Sequence, residues 1–133
     1  MFLKSRFQMF SGSDHYISLS TRKRNGKFVD TPVWFACETE GHGIYIYTVK
    51  NSGKVKRIRN FSDVQVAKCN VVGKINGSWI KAHAALIDEE EEITTAFYLL
   101  KKKYGYRFLI ANLCSRIVGN YHRRQIIRCD ILE

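Results

Sequence analysis

Residues 45–60, YIYTVKNSGKVKRIRN, bring hydroxyls, a glycine and cations together at a spacing suited to anion binding. Ile44 and Ile46 alternate with Tyr45 and Tyr47 as in a strand, and the alternation breaks at Asn51-Ser52-Gly53, ahead of Lys54, Lys56, Arg57 and Arg59. A strand, a small polar turn and a basic helix start make a phosphate cradle. The first N–H groups of a helix lack internal partners, and the aligned peptide dipoles add positive charge there. Ser52 is placed to cap the helix or donate its hydroxyl, Gly53 lets backbone approach a ligand, and Lys54 supplies a full charge. Arg57, three residues on, shares the face of Lys54. A solvated helix face uses the same residue types, so this stretch alone leaves both readings open.

The other residues that could do chemistry are scattered. His15, His42, His83 and His122 have no spacing that pairs two of them for a metal, and no metal site is expected. Cys37, Cys69, Cys114 and Cys129 form no CxxC pair and read as reduced thiols of a cytoplasmic protein. No nucleophile elbow, paired carboxylates or Cys-His arrangement supplies a catalytic side chain, so any reaction would need a cofactor to carry the reactive atom. The formal charge of +10, from 22 basic and 12 acidic residues, favours anionic partners: nucleic acid, acidic membrane or a phosphorylated small molecule. No apolar run reaches the roughly 18 residues of a membrane span, and a soluble protein is expected.

At 133 residues the chain fits one domain, 1–133, too small to enclose a large cofactor by itself; a bulky ligand would lie on a surface shared with a second copy. The pattern over 1–10 (Phe2, Leu3, Phe7, Phe10) is that of a short docking helix. Strands are expected over 16–21 and 28–37, joined by a hairpin turn at Asn25-Gly26. The second contains the only proline, Pro32, within Thr31-Pro32-Val33-Trp34. Having no N–H, it marks either an ordinary edge strand or a gap beside which a planar ligand lies. Further strands are expected over 63–71 and 78–87, with Ala82, Ala84 and Ala85 suited to the crowded inside of a small barrel. Asp88 and Glu91 form a capping-box pattern ahead of a helix through Ile93, Phe97, Leu100 and Tyr104. Its acids at the start and Lys101, Lys102 and Lys103 at the end complement the macrodipole. A loose apolar region over 108–118 and a last strand over 125–132 follow. The whole reads as α+β, a six-stranded antiparallel split β-barrel with peripheral helices.

The runs STRKRNGKFVDTPVWF, YIYTVKNSGKVKRIRNFSDVQVAKCN and GSWIKAHAALID together resemble the pyridoxamine 5'-phosphate oxidase-like flavoprotein superfamily, in its branch of flavin- or deazaflavin-dependent oxidoreductases. The resemblance is strong over 16–88 and looser beyond. It implies a split-barrel homodimer with flavin-type cofactors at the subunit interface. Thr48, Ser52, Gly53, Lys54 and Arg57 match the segment that holds the cofactor phosphate, and Thr31, Pro32, Val33 and Trp34 match the strand beside the tricyclic ring. Trp79 is either an aromatic wall of that ring or a partly buried core residue. Phe61-Ser62 stand where many relatives carry Asn-Pro, and the segment after Tyr104 departs from the pattern.

The expected function is therefore an FMN-binding oxidoreductase, with a deazaflavin as the alternative cofactor, moving a hydride to or from a small organic substrate without a side-chain acid or base. Two rivals are a flavin carrier without turnover and, more remotely, a nucleic-acid-binding barrel stacking bases on Tyr45, Tyr47 and Trp79.

Overall fold

Ile17, Leu19 and Thr21 alternate with Ser18 and Ser20 along β1 (Ile17–Arg22), which pairs antiparallel with β2 (Phe28–Val33) from Ile17↔Val33 to Arg22↔Phe28. The turn between them depends on Asn25, whose Oδ1 accepts the Lys27 N–H at 3.0 Å, and on Gly26, whose φ of +84° suits a residue without Cβ. This computed structural model describes residues 15–105 and 124–132. The helix expected over 1–10, the apolar region over 108–118, His122 and Cys114 lie outside the described residues.

After β2 come β3 (Phe35–Cys37), β4 (Gly43–Val49), α1 (Gly53–Asn60), β5 (Asp63–Lys68), β6 (Ile80–Ile87), α2 (Glu90–Tyr104) and β7 (Arg124–Ile131). The strands form one sheet in the order β2-β1-β5-β6-β7-β4-β3, with every neighbouring pair antiparallel. The two edge strands, β2 and β3, are consecutive in the chain and joined by Trp34 alone. A sheet whose opposite edges are one residue apart must curl, and the result is a half-barrel of seven strands rather than six. The single strand expected over 28–37 divides at Trp34. Pro32 sits on the β2 edge opposite Ser18, where a missing N–H breaks no interior ladder.

The concave face holds the main core. Ile17, Leu19, Val33, Phe35, Ile44, Ile46, Val66 and Ile127 meet there, and Ala82 and Ala84 keep the middle of β6 small enough for the curl. Val55 and Ile58, three residues apart on one face of α1, close the same core. α2 lies on the convex face, where Ala96, Leu100 and Tyr104 cover Ala36, Tyr45 and Ile126. The capping box expected at Asp88 and Glu91 does not form: Glu89 takes the N-cap position without a side-chain hydrogen bond. The first turn relies instead on Glu90, Glu91 and Glu92 against the helix dipole, and Lys101, Lys102 and Lys103 occupy the last turn.

α1 stops at Phe61, whose N–H reaches Arg57 O at 2.8 Å and whose ring lies under the Arg22 guanidinium. Extended backbone at Phe61 thus ends the helix. The strand expected over 63–71 ends at Lys68, because Asn70 draws the chain into a turn by accepting the N–H groups of Val72 and Lys74. The strand expected over 78–87 begins at Ile80.

Candidate functional site

At the end of β4 the side chain of Thr48 points to the concave face, with its Oγ1 3.4 Å from the Ser52 Oγ. Ser52 has the extended backbone of an N-cap and accepts the Val55 N–H at 3.4 Å. The N–H groups of Gly53 and Lys54 lie in the first turn of α1, where helix geometry supplies no internal partner.

Arg57 folds back over this helix start. Its Nε donates to Thr21 Oγ1 at 2.6 Å, and the guanidinium passes so close to Gly53 that a Cβ there would meet Nη1 at 2.7 Å. A side chain at 53 would therefore displace the Arg57 guanidinium, while the backbone there, whose φ is not positive, makes no demand for glycine. Lys54 is half-buried on the same turn. Its ammonium is held below the ordinary lysine range, first by desolvation and then by the charge of Arg57. Among the described residues no carboxylate pairs with Lys54 or Arg57, and the first turn of α1 contains no acid.

Two like charges held together on a helix start, with spare N–H donors and an open glycine, are arranged to receive an anion with several acceptor oxygens. A phosphate monoester fits that donor set.

The strand expected to lie beside a ring is divided in its commitments. Val33 belongs to the concave core, and Trp34 stacks on Tyr104 with centroids 4.7 Å apart and planes 14° apart. Their side chains are occupied in packing, which leaves backbone as the part able to meet a ligand. Thr31 is partly buried and Pro32 is exposed. Across the ladder from Pro32, the Ser18 Oγ is buried without a hydrogen-bond partner. Trp79 lies ahead of β6, 38 % exposed, with no hydrogen bond or ring contact among the described residues, and so is not a core residue.

Thr21 connects the two sets. It is fully buried, it anchors Arg57, and its cross-strand partner is Val29, which puts Thr31 diagonally across the hairpin on the same face at roughly 7–8 Å. Thr21 is absent from the residues expected from sequence. The available signal was a hydroxyl at the third concave position of the Ile17, Leu19, Thr21 alternation. Gln125 was missed as well: it pairs with Thr48 across β4 and β7, and its Nε2 donates to Ile87 O and Ile126 O, both at 3.0 Å.

Tyr45 is buried under α2 with its hydroxyl on Glu92, and Tyr47 packs against Phe97. The base-stacking platform expected of a nucleic-acid barrel is therefore not built from these two rings. Cys37, Cys69 and Cys129 are in no disulfide; burial pushes Cys129 up to about 12 and raises Cys69, so neither of those two is a ready nucleophile. No helix among the described residues is long and apolar enough to cross a membrane.

No protein-family model matches the chain, and no curated protein matches its sequence. Solved structures do match in fold, among them one described as a putative pyridoxamine 5'-phosphate oxidase from Listeria innocua. The heme storage protein HutZ from Vibrio cholerae superposes with a TM-score of 0.69 at 11% identity, covering 100% of this chain and 92% of that one. An F420 reductase gives a TM-score of 0.62 at 16% identity, covering 98% and 97%. A pyridoxamine 5'-phosphate oxidase-related, FMN binding protein from Nostoc punctiforme gives 0.62 at 13% identity, covering 89% and 72%. At these identities the likeness is one of fold.

Proposed function

We propose that the chain binds FMN, with a deazaflavin as the alternative, and acts as an oxidoreductase that moves a hydride to or from a small organic substrate. The observation that carries this reading is the Lys54–Arg57 pair: two cations crowded at the start of α1, over a glycine, with no carboxylate for either among the described residues. The fold is shared with an FMN binding protein and an F420 reductase, which supports a flavin-type ligand.

In this reading Lys54 and the outer nitrogens of Arg57 neutralise the phosphate, while Thr48, Ser52 and the N–H groups of Gly53 and Lys54 hydrogen-bond it. Thr31, Pro32 and the backbone of Val33 and Trp34 lie along the ring, and Trp79 stands as a candidate aromatic wall. The bound group supplies the hydride-carrying atom, and no side chain of this chain is assigned as acid or base. The packing of Val33 and Trp34 keeps their backbone in one place, so that its polar groups meet a ring edge without reorganising. A homodimer with the cofactor at the subunit interface, working in the cytoplasm, completes the proposal: one chain of 133 residues offers the phosphate cradle on an open half-barrel, and a second copy would cover the ring.

The test is titration of the purified protein with FMN and with a deazaflavin, followed by flavin fluorescence and the visible spectrum. Micromolar or tighter binding of one of them is expected; no binding of either overturns the proposal. Steady-state reduction of the bound flavin by NAD(P)H or a reduced deazaflavin then separates an enzyme from a carrier, since a carrier holds the cofactor without passing electrons.

A further inference from the structure

We infer that Thr21 is a positioning residue of the phosphate site, fixing the Arg57 guanidinium across Gly53 so that its two outer nitrogens face the ligand. The inference rests on the proposed function and adds a residue that neither the motif nor the fold likeness assigns.

Thr21 is fully buried at the concave end of β1, where a hydroxyl without a partner would cost free energy. The bond of 2.6 Å from Arg57 Nε satisfies it. That bond uses the one guanidinium nitrogen that points back along the side chain. It leaves Nη1 and Nη2, the fork that matches two oxygens of a phosphate. Gly53 then has a second reason to be glycine. With the guanidinium held by Thr21, Nη1 lies 2.7 Å from where a Cβ would stand, so a larger residue at 53 must shift that end of the guanidinium.

Thr21, Arg57 and Gly53 come from a strand and a helix 36 residues apart in sequence at their bonded pair, and they act as one unit. Because Thr21 is also the diagonal neighbour of Thr31, the same hydroxyl sets the phosphate site in register with the strand assigned to the ring.

The experiment compares FMN with riboflavin, which has the ring and no phosphate, in the wild-type protein and in Thr21→Val, Thr21→Ser and Gly53→Ala. Thr21→Val keeps the volume and β-branching and removes the hydrogen-bonding group. The expected result is that wild type prefers FMN, that Thr21→Val and Gly53→Ala each reduce the FMN-to-riboflavin affinity ratio by about tenfold, and that Thr21→Ser restores it. A merely structural Thr21 would lower the melting temperature of Thr21→Val and leave the ratio as in wild type, and that outcome overturns the inference while the proposed function stands. A wild-type protein that binds neither compound overturns both. If Thr21→Val does not fold, Thr21→Ala, which also lacks the hydroxyl, takes its place: an unchanged ratio in that variant overturns the inference, and a reduced one supports it.

Discussion

Arg57 and Arg128 each reach from a secondary-structure element across a neighbouring strand, and their surroundings differ in one respect. On the convex face, Arg128 in β7 binds both oxygens of Glu38, at 2.6 and 3.1 Å, and also reaches Glu92 of α2 at 3.2 Å, Asp130 at 3.0 Å and the Tyr45 hydroxyl at 2.9 Å. Every charge there has an opposite charge from the protein itself. The cluster ties α2 to the sheet and pushes the Tyr45 hydroxyl up to about 12, by burial first and by Glu92 second. On the concave side Arg57 has one neutral hydroxyl for a partner and a lysine for a neighbour. Arg128 is matched by carboxylates of the protein itself, whereas among the described residues Arg57 has none. Local composition does not separate the two arginines, since both stand in basic stretches.

The largest expected effect breaks the paired side. Arg128→Met leaves Glu38, Glu92 and Asp130 facing one another without their cation, and should cost about 3 kcal/mol or more of unfolding free energy in urea. If the contrast is right, the FMN affinity of the protein that remains folded stays as in wild type.

Lys54→Ala tests the opposite side. Losing a charge-assisted contact worth about 1.5–3 kcal/mol should weaken FMN roughly ten- to hundredfold by titration. The ligand-free protein should melt no lower than wild type, because Lys54 is disfavoured there by burial and by Arg57. A large loss of stability without a loss of FMN affinity would make Lys54 structural and reverse the assignment.

Tyr104→Phe is a smaller, purely convex perturbation. The Tyr104 hydroxyl accepts the Phe35 N–H at 2.9 Å and lies 2.7 Å from His15 O and 3.0 Å from Phe35 O. Its removal leaves a buried N–H without that acceptor, at a cost of about 1–2 kcal/mol by chemical denaturation. Because Trp34 stacks on the same ring, which phenylalanine retains, the strand break should keep its place.

The two sides also separate in pH. Glu38 is held below its ordinary 4.5 by the Arg128 hydrogen bond, so its contribution to stability is complete above that value and is lost as pH falls through its lower folded-state pKa. Lys54 has a folded-state pKa below the ordinary 10.5, so FMN affinity should decline as pH rises through that depressed value, while the phosphate stays doubly charged above about pH 7. Melting curves between pH 3 and 6 check the first, and FMN titrations between pH 7 and 10.5 check the second. An FMN affinity flat to pH 10.5 would place the ammonium away from the phosphate.

Much of this fold is written locally. Alternation in Ile17–Arg22, Asn25-Gly26 at the first turn, Ser52 ahead of Gly53–Asn60 and the acid-to-base polarity of Glu90–Tyr104 each depend on neighbours within a few residues, and each emerged at or near its expected place. The errors lie where distant chain decides. The strand over 28–37 looked continuous because nothing within it shows that its halves belong to opposite edges of one sheet. The capping box at Asp88 was a matching pattern whose geometry the chain leaving β6 does not adopt. Thr21 and Gln125 were passed over, and Tyr104 was placed only as an apolar position of its helix, because a hydroxyl or amide acquires its role from what is packed beside it.

The sequence by itself determined most of the elements, the basic helix start and the residue types able to hold a phosphate, since these follow from spacing along a single strand or helix. Tertiary structure alone decided which arginine meets carboxylates and which, among the described residues, meets only a hydroxyl. That depends on whether the curl of the sheet brings carboxylates or a lone hydroxyl within hydrogen-bonding distance, and curvature is a property of seven strands together.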